Sequence, residues 1–588
     1  MKKLYAIIVF TGLATIGIYL AVHYWLRSEI QEEQKEGFII ERKDSVRTIN
    51  NKNAAAALDL RPVIITRLQQ LVKKGSNGLY DLTMDSIQID VLQSEVILFQ
   101  PKLSADFSLL PELEKRREAP EDVFQITLSK LFISGINVDD FLNRKNITLN
   151  LITITDPIIN VYHNKGKMKQ KKESNESWYE RIAQLTDRIY IKGVLIKKGV
   201  FLLHDLTEKR KPVRLNDVAV RLSDIVIDSQ TIKDKNRFLF AKEALITIRN
   251  FATSTKDNLY TIHTGAVTIS PNNKRMEVTE ITLLPKYNKQ EFQKRIKHMQ
   301  EWYHLVLPQA VFTNVQWWKV LQGAEVHAER LTLSSGKLYV YLDRSHPVDK
   351  TSLGSYPHQL LMKLPWPIQI NNVKAKNIDL VYEELNPASG KTGKVYFHNL
   401  ELSAKNVTNI PDVIMQNRWA TVSGSALFLN TVPVKADFKF DLRNYRKGNF
   451  LMHMNMSSMD GKIVNSIAEP LGLFSIKSGV VKKATATVRG NNDKTEGDVL
   501  LLYNDLKISV LEKDKGKEEL DKRTMTSFLA NKFVLKDDNP SKEDSIPRRG
   551  LCQFNRDPST GFINLIWKTI LVGTLKTVGV NPKLIITK

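Results

Sequence analysis

The chain has 588 residues but a single cysteine, Cys552, so it cannot form an intrachain disulfide. It also lacks the short motifs that usually mark catalysis: there is no glycine-rich phosphate loop, no zinc-ligand spacing and no nucleophile elbow. Its histidines are scattered and show no metal-ligand spacing. These absences argue against an enzyme and against a metal or cofactor site.

Acidic and basic residues are absent between Leu4 and Leu26, a run long enough to cross a bilayer whose hydrocarbon core is ~30 Å thick. Lysines precede the run and glutamates follow it, which places the N-terminus in the cytoplasm and the rest of the chain across the membrane. A cleaved signal peptide is the alternative, but residues 23–27 (HYWLR) offer no small-residue cleavage site. Residues 1–30 are therefore predicted to be an uncleaved, single-pass anchor.

Positive charge is in excess, with a net charge of +23. Basic chains bind nucleic acid or anionic membrane surfaces, and an exported orientation argues against nucleic acid. Alternatively, the lysines solvate the outer faces of strands and protect sheet edges. No Pro- or Ser-rich linker divides the middle of the chain. The predicted order is a polar stalk over 31–53, a repeating β region over 54–515 that begins with a capping helix over 54–75, a charged linker over 516–560, and a C-terminal amphipathic helix and tail over 561–588.

One stretch, IYIKGVLIKKGVFLLHD from Ile189 to Asp205, sets the pattern of the β region. Apolar and polar residues alternate with a period of two, which predicts strands with one face against an apolar layer. The alternation shifts by one residue after Lys192-Gly193, as in a β-bulge. Lys197-Lys198-Gly199 is predicted to form a tight turn, with Gly199 at a positive φ.

Three other stretches repeat this unit: residues 368–383 with Asn377 at the turn, residues 326–343 with Gly336, and residues 147–163 with Pro157. Such self-similarity indicates internal repetition. If the turn in the second copy is one residue shorter, Ile368, Ile370, Val373, Ala375, Ile378 and Leu380 match Ile189, Ile191, Val194, Ile196, Val200 and Leu202.

Helical periodicity is confined to a few segments, predicted over 60–74, 178–186, 290–307, 463–471 and 562–578. The fold class predicted is mainly β: an elongated, twisted antiparallel sheet curved into a lengthwise groove, with an N-terminal transmembrane helix and a few short helices. A stack of β-sandwiches would satisfy the same alternation. Repeat units that run on without linkers favour the groove.

The anchor, the helix ending at Gly75, the recurrent strand units and the late stretch SIKSGVVKKATATVRGNN from Ser475 to Asn492, with GDVLLLYNDLKI after it, resemble the AsmA-like family of bacterial envelope proteins. The likeness is to the TamB and YhdP type, in the form of its Bacteroidota members, and covers nearly all the chain after Gly75. It implies a repeating β-groove anchored in the bacterial inner membrane, with the bulk of the chain in the periplasm and without catalytic residues, metals or cofactors.

The resemblance further implies that the groove shields phospholipid acyl chains during transport between the inner and outer membranes, which supports outer-membrane integrity. The apolar C-terminal helix is predicted to pack on the end of the sheet; the alternatives are that it lies in a membrane interface or binds an outer-membrane or envelope partner. The alternative function that the resemblance implies is a TamB-like scaffold that assists the assembly of outer-membrane proteins. The implied lining residues are Ile189, Ile191, Val194, Ile196, Val200, Leu202, Ile368, Ile370, Val373, Ile378, Leu380, Leu331 and Leu333.

Overall fold

In the computed structural model, the residues described are 61–582, apart from 91, 117–119, 121, 137–145, 164–186, 206–211, 232–233, 235, 239, 256, 318, 321–324, 348, 350–354, 365, 514–519, 523–537, 544 and 557–560. The predicted anchor over 4–26, the stalk over 31–53, residues 54–60 of the capping helix and the helix predicted over 178–186 lie outside the described residues. Among the helices of the described part, none combines the length and the apolar character needed to cross a membrane.

About 60% of the described residues lie in strands, which confirms a mainly β fold with few short helices. The strand pairing is mixed rather than purely antiparallel, so the predicted antiparallel sheet is corrected by the parallel pairs of β7 with β9 and of β15 with β16. The chain divides into two compact units. Unit 1 comprises Met1–Phe251 and Ala266–Met276, and unit 2 comprises Ala252–Gly265 and Glu277–Lys588.

The helices of the described residues are short, apart from the first and the last. They are α1 (Arg61–Gly75), α2 (Leu110–Arg116), α3 (Lys289–Gln293), α4 (Pro357–Met362), α5 (Pro411–Gln416), α6 (Asn465–Gly472) and α7 (Phe562–Thr577).

The strands begin short and become long. The first are β1 (Tyr80–Thr83), β2 (Ser86–Asp90), β3 (Glu95–Phe99), β4 (Lys102–Ala105), β5 (Asp122–Thr127), β6 (Lys130–Ser134), β7 (Asn146–Thr155), β8 (Ile158–His163), β9 (Arg188–Asp205), β10 (Val213–Ile227), β11 (Ala241–Ser254), β12 (Tyr260–Ser270) and β13 (Arg275–Pro285). They are followed by β14 (Trp302–Thr313), β15 (Val326–Asp343), β16 (Ile368–Asn386), β17 (Lys391–Thr408), β18 (Trp419–Phe428), β19 (Val432–Asp441), β20 (Phe450–Met456), β21 (Met459–Asp460), β22 (Phe474–Gly490), β23 (Lys494–Lys513), β24 (Leu520–Lys522) and β25 (Arg549–Asn555).

Each unit contains one parallel step within otherwise antiparallel pairing. In unit 1, β7 and β8 run parallel to β9, which then pairs antiparallel with β10. In unit 2, β15 runs parallel to β16, and antiparallel pairing continues through β17, β18, β19, β20, β22, β23 and β25. A parallel step needs a crossover connection, and in unit 2 that connection contains α4.

The parallel pairs are repeat copies lying side by side. Partners in the first pair differ by 42 residue numbers throughout, from Ile147 and Ile189 to His163 and Asp205. Partners in the second pair also differ by 42, for example Val326 and Ile368. Equivalent residues of adjacent copies therefore lie beside each other and point to the same face of the sheet.

In the copy over 147–163, β7 ends at Thr155 and β8 begins at Ile158, on either side of Pro157. The turns predicted in the other three copies are wrong, because β9, β15 and β16 continue through the position. At these points one residue adopts a left-handed backbone, with φ of 53° at Lys198, 58° at Ser335 and 55° at Asn377. Such a residue forms a bulge that leaves the strand unbroken but shifts its alternation. Gly199 is therefore not the residue with positive φ. Its lack of a side chain makes room instead, since a Cβ there would lie 3.1 Å from a ring carbon of Phe201.

Two segment predictions need correction. The helix predicted over 290–307 is only the five-residue α3, and the aromatic and β-branched stretch beyond it forms β14, which pairs with β15. The charged linker predicted over 516–560 contains β25, which pairs antiparallel with β23. The helices predicted over 60–74, 463–471 and 562–578 correspond to α1, α6 and α7.

Candidate functional site

Alternating polarity gives the sheet of unit 2 one apolar side from β14 to β20. Neighbouring strands are in register, so that apolar residues lie opposite apolar residues along continuous rows. We call this surface the apolar face. Its first row is Phe312, Leu331, Val373, Ala404, Val422, Phe438 and Met452, and its second row is Ala310, Leu333, Ala375, Leu402, Gly424, Ala436 and Met454.

The opposite side of the same strands is polar and faces solvent. Lys374, Ser403, Ser423 and Asp437 follow one another across neighbouring strands, and all four are exposed. The Ser423 hydroxyl donates a hydrogen bond to the Asp437 carboxylate. A sheet with one wet side and one apolar side must cover the apolar side or leave it in contact with water.

Much of the apolar face keeps partial contact with solvent. Leu331, Leu333, Val373, Leu402 and Ala404 are all partly exposed. Side chains inside a two-sheet core are packed at crystal-like density and excluded from water. The middle of the apolar face is thus less covered than such a core would be.

Towards β20 and β22, α7 covers the apolar face. The Phe562 ring lies 6.0 Å from that of Phe438 and 5.0 Å from that of Phe450, and Tyr356 packs on it from the other side at 5.1 Å. These rings belong to a buried cluster with Val488 and other sheet residues. The C-terminal helix predicted from the sequence therefore packs on the sheet and closes one end of the apolar face.

Glycines allow α7 to approach the sheet closely. A Cβ on Gly550 would lie 1.9 Å from the carbonyl oxygen of Gly573, and a Cβ on Gly573 would lie 2.4 Å from a methyl carbon of Val499. The hydroxyls of Thr495 and Thr569 are also hydrogen-bonded at 2.6 Å in this interface. These contacts fix the helix against β23 and β25.

A buried polar cluster lies further along β16, beyond the apolar positions of that strand. The Glu384 carboxylate is fully buried; it accepts hydrogen bonds from the Tyr382 hydroxyl at 2.7 Å and from Arg344 at 3.2 Å. Asn564 of α7 donates to the same carboxylate at 3.4 Å. Burial and the adjacent Glu384 raise the pKa of Tyr382 well above its ordinary value, so the phenol stays protonated and donates.

The predicted lining residues do not share one environment. Of the 13, the buried ones are Ile189, Ile191, Val194, Ile196, Ile370 and Ile378, and the partly exposed ones are Val200, Leu202, Ile368, Val373, Leu380, Leu331 and Leu333. In unit 1 the predicted positions ahead of the bulge are therefore shut off from solvent. In unit 2, Leu331, Leu333 and Val373 lie on the apolar face and remain accessible.

The bulge at Lys198 also corrects the predicted match between copies. Lys198 and Asn377 are the bulged residues, so Gly199 and Phe201 are equivalent to Ile378 and Leu380, and no residue is missing from the second copy. Phe201 is fully buried, whereas its neighbours Val200 and Leu202 are partly exposed. The buried face of this half-strand is one residue out of step with the prediction.

Several residues of the apolar face were not among the predicted lining residues. Gly424, Ala436, Met452 and Met454 occupy the strands beyond β17. Their alternation was visible in VSGSA from Val422 and MHMNM from Met452. Gly424 makes room for its neighbour Leu402, whose methyl carbon would lie 2.7 Å from a Cβ at that position, and methionine side chains adapt to irregular apolar partners.

His358 of α4 is a buried titratable group beside the covered end of the apolar face. Its ring stacks on Phe440 at 5.1 Å, and neither ring nitrogen has a hydrogen-bond partner among the described residues. Burial lowers the pKa of His358 to about 4, and the nearby Asp441 carboxylate opposes the shift only in part. The folded protein thus holds this ring neutral.

This pKa shift predicts a loss of stability in mild acid. The folded-state pKa lies below the ordinary histidine value of about 6.5, so the unfolded chain takes up the proton first. The contribution of the neutral His358 ring to the free energy of unfolding is intact above about pH 6.5 and is lost as the pH falls towards 4. His358→Phe keeps a ring on Phe440 but cannot titrate, and thermal melts between pH 7 and 4.5 should show a shallower decline for it. If the melting temperatures of the parent and of His358→Phe declined in parallel, the lowered pKa of His358 would be contradicted.

No group of three or more His, Cys, Asp or Glu side chains is placed to hold a metal ion within the described ranges. No family model matches the chain, and no curated protein matches it. The resemblance to the AsmA-like family therefore stays a prediction from the sequence.

Proposed function

We propose that the chain shields phospholipid acyl chains on the apolar face of unit 2 and carries them between the inner and outer membranes of a bacterial envelope. One observation carries the proposal: the apolar residues of the two rows from Leu331 to Gly424, except the buried Ala375, stay partly exposed on a sheet whose other side is polar. Contiguous exposed apolar surface on a protein indicates a ligand or partner.

The energetics suit hydrocarbon tails. Removing a methylene group from water is worth about 0.8 kcal/mol, so an acyl chain with about 12 shielded methylenes gains on the order of 10 kcal/mol before losses of freedom are subtracted. No polar recognition is needed along the tail. A headgroup can stay in water beside the face, because the contact requires only one apolar side.

The location proposed for the chain in the envelope comes from its sequence. The predicted anchor over 4–26 would tether the chain to the inner membrane and leave the strands in the periplasm. The proposed site excludes the unit 1 positions ahead of the bulge, since Ile191 and Ile196 are buried. It needs no catalytic group, metal or cofactor.

Site-specific photo-cross-linking tests the proposal. A benzophenone amino acid is placed at Leu402 on the apolar face or, as the matched control, at its neighbour Ser403 on the polar face, in full-length protein in native membranes. Phospholipid is expected to cross-link at residue 402 at least about tenfold more than at residue 403. Organic extraction and mass spectrometry of the adduct identify the lipid.

Two outcomes would overturn the proposal. Equal or absent lipid labelling at both positions would remove the shielding role. Cross-linking of residue 402 to an outer-membrane β-barrel protein in place of lipid would favour the scaffold function.

A further inference from the structure

We propose that one margin of the sheet in unit 2 is a docking surface for an anionic lipid bilayer. The proposed surface is made of three connecting segments at this margin: residues 355–364 with 366–367, 409–418 and 442–449. They lie where β16 begins, β17 and β19 end, and β18 and β20 begin. We call them together the rim. The inference goes beyond lipid shielding, because it concerns a different surface and a different contact.

Hydrogen bonds hold the three rim segments together. The Asn409 side-chain amide donates to the carbonyl oxygen of Trp366 at 3.0 Å, and its oxygen accepts from the backbone of Ile368 at 2.7 Å. The third segment joins through Arg443, which donates to the carbonyl oxygen of Met415 at 2.9 Å. The rim is therefore one surface built from separate parts of the chain.

Large apolar side chains project from the rim into solvent. Leu360 and Trp366 are about half exposed and Met415 is 63% exposed. Leu364, on the same segment, and Trp419, the first residue of β18, add further exposed apolar surface. The inner sides of the same short helices are packed, since Ile414 of α5 belongs to the buried cluster and Met362 of α4 packs against it. Each helix thus has one face on the protein and one without a partner in the described chain.

Charge on the rim is almost entirely positive. Its exposed ionisable residues are Lys363, Arg443, Arg446 and Lys447 against one acid, Asp412. Asp441, just before the third segment, is buried and paired with Arg418. The rim therefore complements a negatively charged partner.

The combination of tryptophan, leucine and methionine with lysine and arginine favours a bilayer over a protein partner. Tryptophan prefers the membrane–water interface. Apolar side chains on short amphipathic elements insert at the headgroup boundary, and neighbouring basic residues bind anionic lipids. A protein interface instead enriches aromatic residues and arginine and depletes lysine, whereas the rim carries two exposed lysines, Lys363 and Lys447.

The rim adjoins the apolar face. Val373 of that face lies five residues into β16, and Val422 lies three residues beyond Trp419 on β18. A bilayer held at the rim would thus contact the sheet at the end of strands that carry the apolar rows.

A fluorescent reporter tests the docking. The full-length chain carries Met415→Cys labelled with the environment-sensitive dye NBD. Native Cys552 is buried, and burial raises the pKa of its thiol, so labelling is directed to residue 415. With vesicles containing phosphatidylglycerol, NBD emission should rise several-fold and shift to the blue, and brominated lipid should quench it. Phosphatidylcholine vesicles should give a much weaker response.

Matched charge reversals separate the rim from the rest of the chain. Lys363→Glu/Arg446→Glu/Lys447→Glu should weaken the response by about 100-fold or more in vesicle concentration, since each basic residue near an anionic surface contributes about fivefold. Lys374→Glu/Lys376→Glu/Lys435→Glu makes the same change in net charge on the exposed polar side of the sheet, away from the rim, and should leave the response unchanged. The predicted anchor is present in every variant, so its effect is common to all.

An NBD signal that is unchanged by anionic vesicles, or equally weakened by both triple variants, would overturn the docking surface. A signal that appears only when another envelope protein is added would do the same. Because this readout does not involve residue 402, it can fail while lipid cross-linking on the apolar face succeeds, and the reverse also holds.

Discussion

Val373→Asp should lower the phospholipid bound to the protein at least about tenfold while the protein stays folded. Val373 lies on the apolar face between Leu331 and Ala404 of the neighbouring strands. A carboxylate there would either lose water to contact a hydrocarbon tail or keep its water and exclude the tail. Either costs several kcal/mol of lipid binding, and each 1.4 kcal/mol is a factor of ten. Bound lipid is counted by mass spectrometry after extraction.

The folded state should tolerate this change because Val373 is partly exposed and the new carboxylate can reach solvent. Lys374→Asp is the matched control: it places the same residue one position along β16, on the exposed polar side. Both variants should melt within about 3 °C of the parent, which corresponds to less than about 1 kcal/mol. Equal lipid content in Val373→Asp and Lys374→Asp would contradict a lipid site on the apolar face.

Val194 shows why the choice of position matters. From sequence, Val194 and Val373 are equivalent repeat positions, and the alignment of the two copies places them so. Yet Val194 is only 8% exposed. An aspartate there would bury a charge, and any loss of transport would reflect unfolding. Equivalent positions in repeats thus need not have the same function.

Alternation was sufficient to predict most of the strands and the repetition of similar units, although it missed β14 and β25. A period of two follows from the local geometry of a strand, in which successive side chains point to opposite faces. It can therefore be recognised from neighbouring residues alone, as in β9 and β16. It could not reveal that β15 and β16 run parallel, because the direction of pairing depends on the crossover that contains α4. Nor could it distinguish a turn from a bulge at Lys198. A turn keeps Leu202 in phase with Ile196, whereas the bulge puts Phe201 in that phase, and residues 200–203 are all apolar, so that the sequence fits either.

The solvent exposure of the candidate site likewise could not be predicted from the sequence. Leu333 and Ile196 occupy equivalent positions of their repeat copies, two residues before the left-handed residue, but the first is partly exposed and the second is buried. The difference comes from what packs above each one, which involves distant parts of the chain. The contact of Phe562 with Phe438, more than 100 residues away in sequence, is one such case.

Phe201, which follows the bulge at Lys198, is the side chain whose truncation we expect to reduce the free energy of unfolding most. Phe201 is fully buried, and Gly199 is packed so closely that an added Cβ would lie 3.1 Å from the Phe201 ring. Phe201→Ala should therefore lower the free energy of unfolding by about 3–5 kcal/mol, as phenylalanine truncations in packed cores do. Urea denaturation, with hydrogen exchange of β9 and β10 as the local readout, measures the loss.

Leu202→Ala is the informative comparison, because alternation read through a turn at Gly199 makes Leu202 the inward residue. The structure makes it partly exposed, so its truncation should cost less than about half as much, in proportion to the smaller apolar area removed from water. The predicted turn and the observed bulge thus rank the stability losses of these two adjacent truncations in opposite order. If Leu202→Ala proved the more destabilising, the left-handed residue at Lys198 would not shift the strand, and the equivalence of Phe201 with Leu380 would fail with it.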